Sequence, residues 1–566
     1  MNKTYLIRCD GGNIPEIGTG HIYRCLVIAR KLKKTGHKIY FISRCDGQYS
    51  WGFNELAKQG FPVLPITGNN SELAALAGII KRIGPDIVIF DRLNTEESIA
   101  RLAAKNAILI TFDDAGEGQK FADITINAVV GREKTIYSGY DYSILSHMGY
   151  RAIHLKPAVS NIFISFGGYD HLNNSLSSLK ALEGLSRRIR ITLALRKSYP
   201  AKEELAGFLK KSKRKFNIVW DSGNIAGLIA QADLALTSAG LTLLESLSVG
   251  VPTIVINQYG HQEEIAQALD KKEVVINLGI GSKVSAPKIK KSVYNLMRNF
   301  KLRQKLHINS LCSFDGYSLD RVMELVRFCE KRPWDTNFFK LNIAELYPLR
   351  VNEKMMRIAL KMCCKDKIRC LYYLCDCHDP LSVKLAEKYG FHFVDIRLNF
   401  SLDLSNYSPP RPAGGAVTFG KFRSLDLPYL KKIAGAIYSY SRYYFDLNFP
   451  RKSCSRFYVN WLAKCCHEEN KKVFVARIGN RAVGYVTARI SNKRAYLDLV
   501  GVDKTQNGRK IGAGLLKYAL DSLKEDSICH VEVVTQGRNY AAQRLYQSCG
   551  FKTLKTQLWY HKWFDI

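Results

Sequence analysis

Between residues 4 and 115 the chain alternates short apolar runs with helical patterns. The runs are "TYLIRC", "KIYFIS", "DIVIFD" and "AILITFDD"; segments such as 21–34 and 72–83 lie between them. Apolar runs of this length, each followed by a helical pattern, predict a parallel sheet with crossover helices. After a break near "LKPAVS" the alternation resumes with "NIFISFGG", "RITLAL", "FNIVWD", "DLALTS", "PTIVIN" and "EVVINL". Two consecutive doubly wound α/β units predict a two-lobed protein with its ligand in the cleft.

The chain past Arg332 reads differently. It opens with "PWDTNFFKLNIAEL", is interrupted by "YSPPRPAGG" at 407–415, and continues as a mixed α+β segment. An internal repeat spans it. "LSVKLAEKYGFHFVD" (381–395) aligns with "AAQRLYQSCGFKTLK" (541–555), matching Leu385 to Leu545, Gly390 to Gly550 and Phe391 to Phe551. Tyr546 of the second copy is Ala386 in the first. A partial, chemically silent copy followed by a complete one is the expectation.

At 566 residues the chain exceeds one ordinary core, so several domains are expected. No run reaches 18 apolar residues, which argues against a transmembrane helix. The start, "MNKTYLIRCDGG", lacks the apolar core of a secretory leader and reads as a first strand, so a cytoplasmic location is expected. The 15 cysteines are scattered, with no zinc-type spacing even at "CDCH", so reduced core thiols and no metal are expected. The net charge of +34 suits polyanionic ligands, but its clusters, "LKKSKRK" and "KIKKSVYNLMRNFKLRQK", lie on helical patterns; no nucleic-acid motif accompanies them. Neither a nucleic-acid partner nor integral membrane association is expected.

In "RCDGGNIPEIGTGHIYRC" four glycines, Gly11, Gly12, Gly18 and Gly20, precede a helical pattern, and His21 stands at its start. Glycines let backbone approach a ligand, and a helix N-terminus offers unpaired N–H groups to an anion. The positive end of the helix dipole disfavours imidazolium, so a histidine there is expected to be neutral and able to accept a proton. The stretch resembles the motif of the UDP-sugar hydrolases of the pseudaminic acid pathway, approximately R-x-D-x-x-x-x-I-G-x-G-H-x-x-R. It matches at Arg8, Asp10, Ile17, Gly18, Gly20, His21 and Arg24, with a loop two residues longer around Asn13 to Glu16. "FDD" at 112–114, "ITINAV" and "FISFGGYDHLNN" at 163–174 look like the same family. The resemblance covers about residues 1–330. It implies a two-lobed GT-B-like fold, a UDP-linked 2,4-diacetamido-2,4,6-trideoxy sugar as substrate, no metal, and His21 as the base on water. Asp10, Gly20, Arg24, Gly167 and Gly168 would contact substrate. In "SAGLTLLES", Gly240 and Thr242 would meet the diphosphate and Glu245 the ribose hydroxyls. One departure stands at "YSILSHMGYRAIH", where the family has an acidic-aromatic segment.

Near the C-terminus, "VFVARIGNRAVGYVTARI" and "RAYLDLVGVD" read as a strand meander; "KTQNGRKIGAGLLKYALDSL" is a glycine-bearing loop entering a helix, and "GRNYAAQRLYQSCGF" is a second helix. The combination resembles the GNAT N-acetyltransferases, with acetyl-CoA as donor. It implies acetyl-CoA contacts from Val502, Asn507, Gly508, Lys510, Gly512, Gly514 and Asn539, and Tyr546 as the acid that protonates the leaving thiolate. A phenol of pKa near 10 suits that role. The family's Q/R-x-x-G-x-G/A pattern falls on Asn507 to Gly512, with Asn507 for the usual Gln or Arg and Lys510 for the middle glycine. Residues 333–566 are similar to the dTDP-fucosamine acetyltransferase type, which acetylates a nucleotide-linked 4-amino sugar. No base for the amine stands out; Asp498 is a candidate.

The expected organisation is an N-terminal lobe at 1–155, a nucleotide-binding lobe at 156–330, a degenerate GNAT-like half-domain at 333–408 and a GNAT domain at 416–566. The expected function is bifunctional: acetyl-CoA-dependent N-acetylation of a UDP-4-amino sugar, and hydrolysis of the diacetamido product to UDP and free sugar. Alternatives are a glycosyltransferase fused to an acetyltransferase, or a nucleotide-sugar-binding module delivering substrate to one.

Overall fold

The computed structural model describes residues 2–12, 19–67, 71–128, 135–145, 152–167, 169–197, 199–314, 317–404, 407, 417–491 and 493–565. The chain divides into two compact units, Asn2–Val326 and Arg327–Ile566.

The first unit contains two parallel sheets. The first is built from β1 (Thr4–Cys9), β2 (Lys38–Arg44), β3 (Val63–Ile66), β4 (Ile87–Asp91), β5 (Ile108–Phe112), β6 (Ile124–Asn127) and β7 (Tyr137–Ser138), in the order β3-β2-β1-β4-β5-β6-β7. β1, β4 and β5 are buried at nearly every position, as expected of strands covered on both faces. Their core includes Leu6, Val88, Phe90 and Leu109, with Leu76 and Ile99 from the covering helices. The second sheet comprises β8 (Asn161–Ser165), β9 (Arg190–Leu195), β10 (Asn217–Trp220), β11 (Leu234–Thr237), β12 (Thr253–Asn257) and β13 (Ile276–Ile280), in the order β10-β9-β8-β11-β12-β13. Its core gathers Ile162, Ile164, Leu193, Leu234 and Ile254. Both sheets reverse direction of growth beside their first strand, between β1 and β4 and between β8 and β11. Such reversals open a crevice at the carboxyl ends of the strands. The unit has the two-lobed GT-B-like architecture.

The last strand of the second series differs from expectation: "EVVINL" (273–278) enters the sheet only at Ile276. Glu273 adopts a left-handed conformation (φ 54°) and its N–H returns to the Asp270 carbonyl, so it closes the preceding helix.

The second unit is one ten-stranded sheet. Its strands are β14 (Cys329–Lys331), β15 (Ile343–Leu346), β16 (Cys370–Asp376), β17 (His392–Asp403), β18 (Val417–Lys421), β19 (Lys471–Ile478), β20 (Arg481–Ser491), β21 (Arg494–Val502), β22 (His530–Gln536) and β23 (Lys552–Trp563). They run β14-β15-β16-β23-β17-β22-β21-β20-β19-β18. The internal repeat is visible here as two copies of strand, helix, strand. The first copy runs β16, helix Pro380–Lys388, β17; the second runs β22, helix Tyr540–Ser548, β23. Their last strands are exchanged: β17 pairs with β22, and β23 pairs with β16. Segments 333–408 and 416–566 therefore share one sheet, and the stretch between them lies outside the described residues. β21 and β22 pair in parallel from Arg494/His530 to Leu497/Val533 only. Beyond that the strands carry no mutual register, which is the splay of a GNAT fold.

Candidate active sites

The first site begins at the carboxyl end of β1. The helix Gly20–Lys34 follows, and His21 is its second residue. β4 ends on Asp91, which is in register with Cys9 on one side and Phe112 on the other. This brings Asp91 under the helix start. His21 Nδ1 lies 2.5 Å from Asp91 Oδ1. One turn along the helix, Arg24 donates from Nε to Asp91 Oδ2 (2.8 Å) and from Nη2 to Asp91 Oδ1 (2.5 Å), and from Nη1 to Asp113. Burial by itself would raise the Asp91 carboxyl, but Arg24 and His21 outweigh it and hold it well below the usual carboxylate range. A fixed carboxylate on one ring nitrogen leaves Nε2 as the nitrogen that can take a proton.

His21, Gly20 and Arg24 line a cleft of about 900 Å³ whose opposite wall comes from the second lobe. There Gly167 turns the chain after β8 at φ 88°, and Gly240 precedes the helix Leu241–Ser248. A Cβ on Gly167 or Gly240 would meet nothing within 4 Å, so both present bare backbone to open space. Thr242 and the nearly buried Glu245 of the same helix complete that wall. Asp170 accepts the N–H groups of Asn174 (3.0 Å) and Ser175 (2.7 Å), which anchors the turn around Gly167 to the next helix. Gly20 has a different reason for being glycine: its Cβ would lie 2.7 Å from Leu241 Cδ1.

Seven predicted residues thus face one cleft: Gly20, His21, Arg24, Gly167, Gly240, Thr242 and Glu245. Gly168, like Ile17 and Gly18, lies outside the described residues. Asp10 needs correction. It is 5% exposed, is absent from the lining, and is held by Arg8 Nη1 (2.5 Å) and the Arg44 N–H (2.9 Å). It neutralises Arg8, which is fully buried and also bonded to Glu72, so its role is in the fold. Gly11 is corrected similarly, because its Cβ would collide with Ile22. The residues missed were Asp91 and Asp113; the signal available was an aspartate closing each of two buried runs, "DIVIFD" and "FDD". Arg196, Gln258 and His261 of the lining were also missed.

The second site surrounds the splay. Val502 ends β21, and the loop that follows leads to the helix Ile511–Glu525. Gly508 has φ 81° and Lys510 φ 56°. Lys510 stands where the GNAT pattern has its middle glycine, and it adopts the left-handed conformation that explains that glycine. A Cβ on Gly512 would lie 3.5 Å from Leu545 and 3.6 Å from Val502, an ordinary contact. Gly514 needs correction as a ligand contact: its Cβ would lie 2.7 Å from the Phe419 ring, so the glycine lets the helix pack on β18. Asn507 sits in the loop, and its N–H bonds the Lys504 carbonyl at 3.3 Å. Asn539 caps the helix Tyr540–Ser548 by accepting the Ala542 N–H at 3.2 Å. Tyr546, on that helix, is 4% exposed between Phe400 and Phe551. Burial pushes its phenol above the ordinary value, which strengthens its hold on the proton. Asp498 is ion-paired with Lys471 (3.0 Å) and Arg489 (3.7 Å), and its buried Oδ2 accepts no hydrogen bond among the described residues.

Among the described residues, one group brings metal-type ligand atoms within 4.8 Å: His392, Asp446 and His561. Asp446 Oδ2 lies 2.6 Å from His561 Nδ1 and accepts from Trp563 Nε1 at 2.8 Å, so the geometry is that of a hydrogen-bonded buried carboxylate. Among the described residues no helix is long and apolar enough to cross a membrane.

Comparison with known proteins supports both halves. Residues 436–551 match the acetyltransferase (GNAT) family, and residues 161–310 match the glycosyltransferase family 28 C-terminal domain. An uncharacterised protein of Methanocaldococcus jannaschii is 33% identical over 275 residues, covering 44% of this chain and 55% of that protein; the chain thus spans about half of that relative's length. The spore coat polysaccharide biosynthesis protein SpsG of Bacillus subtilis is 25% identical over 340 residues, 57% of this chain and 97% of the relative. The spore coat polysaccharide biosynthesis protein SpsD of Bacillus subtilis is 24% identical over 172 residues, 30% of this chain and 58% of the relative. Among solved structures, MurG of Acinetobacter baumannii is similar at 16% identity with a TM-score of 0.45, covering 57% of this chain and 99% of that one. The chain therefore joins a glycosyltransferase-like region related to polysaccharide-biosynthesis proteins to a GNAT acetyltransferase domain.

Proposed function

We propose that the chain performs two consecutive reactions on one nucleotide sugar. The GNAT part transfers acetyl from acetyl-CoA to the amine of a UDP-4-amino sugar, and the first unit then hydrolyses the diacetamido product to UDP and free sugar. In the hydrolysis, His21 Nε2 takes a proton from water as the water oxygen bonds to the anomeric carbon and the bond to UDP breaks. Asp91 holds the imidazole and stabilises the imidazolium that forms. Gly240 and Thr242 meet the diphosphate at a helix start, Gly167 approaches it through backbone, and Glu245 takes the ribose diol. In the acetyl transfer, Gly508, Lys510, Gly512 and Asn507 hold the CoA pyrophosphate, and Tyr546 protonates the thiolate.

The observation that carries this reading is His21, oriented by a buried ion-paired carboxylate, facing Gly240 and Glu245 across a cleft of about 900 Å³. The match to the glycosyltransferase family 28 domain favours a second reading, transfer of the sugar to an acceptor. The test is to supply the full chain with the UDP-diacetamido sugar and no acceptor. Free sugar and UDP in equal amounts support hydrolysis; no turnover until a glycan acceptor is added supports transfer.

A further inference from the structure

The acetyl transfer needs a group that takes a proton from the acceptor ammonium, and Asp498 already has two cationic partners, Lys471 and Arg489. The exchanged strand supplies another carboxylate. β17 comes from the silent repeat copy yet lies between β22 and β23. Its register against β23 shifts between Phe393 and Asp395, a bulge that re-aims the side chain. The end of β22 is fastened beside it: the Gly537 N–H bonds the Ile396 carbonyl at 2.7 Å, and a Cβ on Gly537 would meet Ile396 at the same distance. Asp395 therefore sits where β22 ends and the chain turns toward the helix bearing Tyr546.

Asp395 is 3% exposed by side chain, yet it is not saturated. Oδ1 accepts the Ile396 N–H at 2.9 Å and faces Arg538 Nη1 at 3.5 Å. Oδ2 has no hydrogen-bond partner among the described residues. The ionisable groups around it come from three other segments: Arg538 after β22, Arg442 of the helix Arg442–Phe445, and Tyr458 of the helix Arg451–His467. Both arginines are occupied by aromatic faces, Arg538 over Phe445 at 3.7 Å and Arg442 over Trp559 at 3.7 Å. Tyr458 stacks on Tyr438 at 4.2 Å between ring centroids; the Tyr438 hydroxyl bonds that of Tyr485 at 2.9 Å and the Val500 carbonyl, in the splay, at 3.4 Å.

We propose that Asp395 is the general base of acetyl transfer, taking a proton from the acceptor's ammonium nitrogen before that nitrogen attacks the thioester. This rests on the acetylation reading above. The nitrogen lone pair forms the C–N bond to the acetyl carbonyl carbon. The C–S bond then breaks, and the thiolate takes the Tyr546 proton. The nitrogen's second proton leaves to solvent and Tyr546 is reprotonated, giving amide, CoA thiol and one released proton. Burial pushes the Asp395 carboxyl up, against the pull of Arg538, the Ile396 N–H and Arg442, to about 6. That leaves it ionised at neutral pH and closer to an amine than an ordinary aspartate is.

The test uses the full chain with UDP-4-amino-4,6-dideoxy-AltNAc and acetyl-CoA, following CoA thiol release from pH 5 to 9. Wild type should lose kcat/KM below a limb near pH 6. Asp395→Asn should lose about 100-fold or more at pH 7.5 and lose that limb. It should still bind CoA, and its Tm at pH 7.5 should be unchanged or higher, because a buried carboxylate with a raised value weakens the fold once ionised. A purely structural Asp395 would instead lower Tm and CoA binding together. Asp395→Glu should recover part of the rate with a displaced limb. If wild type turns over and Asp395→Asn keeps its rate and limb, the assignment of the base is wrong while the acetylation reading survives. If wild type leaves the probe unacetylated, both fall.

Discussion

Replacing Asp91 by Asn is the most informative single change in the first unit. Asp91 Oδ1 contacts His21 Nδ1 and Arg24 Nη2 at 2.5 Å each; Oδ2 accepts from Arg24 Nε at 2.8 Å and from the Cys25 thiol at 3.3 Å. All four contacts come from donors when the histidine carries its proton on Nδ1, so an amide NH₂ must face one of them donor to donor. If it faces Arg24, a buried guanidinium loses a charge partner and keeps only Asp113; removing one member of a buried pair costs about 3 to 5 kcal/mol, and the remaining partner argues for the lower end. If it faces His21, the imidazole must switch tautomer and place its proton on Nε2. That nitrogen can then no longer accept a proton from water, and losses of about 10⁴-fold are known when a tautomer-fixing carboxylate becomes an amide. Ten-thousand-fold corresponds to about 5.5 kcal/mol of barrier. The assay is UDP release from the UDP-diacetamido sugar, with acetyl transfer to the 4-amino precursor by the same variant as internal control. Acetyl transfer should be unchanged while UDP release falls by about 10² to 10⁴-fold. Asp91→Asn that stays folded by its melting curve and hydrolyses within about five-fold of wild type would refute the role of Asp91.

Gly240→Ala should fold with an unchanged Tm, since its Cβ meets nothing within 4 Å, yet weaken UDP binding about ten-fold or more by calorimetry; Gly11→Ala, whose Cβ collides with Ile22, should instead lower Tm. Tyr546→Phe should slow acetyl transfer about 100-fold, measured as CoA thiol release, and leave hydrolysis of the acetylated substrate untouched. A fragment 416–566 should fail to fold by circular dichroism, because it lacks β17, which separates β22 from β23, whereas 327–566 should give a cooperative melt.

The alternating apolar runs made both parallel sheets legible, because a strand buried on two faces leaves no polar residue to disguise it. Glycines and a histidine at a helix start were legible for the same local reason. Asp91 was not, since it meets His21 only through strand order, and 70 residues separate them. Asp10 misled because proximity in sequence places it on β1's end, whereas its partners, Arg8 and the Arg44 N–H, are read only from the folded sheet. The repeat revealed two related halves but not the exchange of their last strands: similarity reports which elements exist, while pairing depends on which neighbour each strand meets. Asp395 illustrates this, being the last residue of the aligned silent copy, set by the exchange beside β22.

The central claim is that acetylation precedes and enables hydrolysis in one chain. A buried site shaped for an acetamido group should reject a bare ammonium, which would be desolvated without partners. The direct measurement is a time course of wild type with UDP-4-amino-4,6-dideoxy-AltNAc, resolved by mass, with and without acetyl-CoA. The account predicts no UDP without acetyl-CoA; with it, the UDP-diacetamido sugar should appear first, then equal amounts of UDP and free diacetamido sugar. UDP released from the amine at the same rate without acetyl-CoA would contradict it.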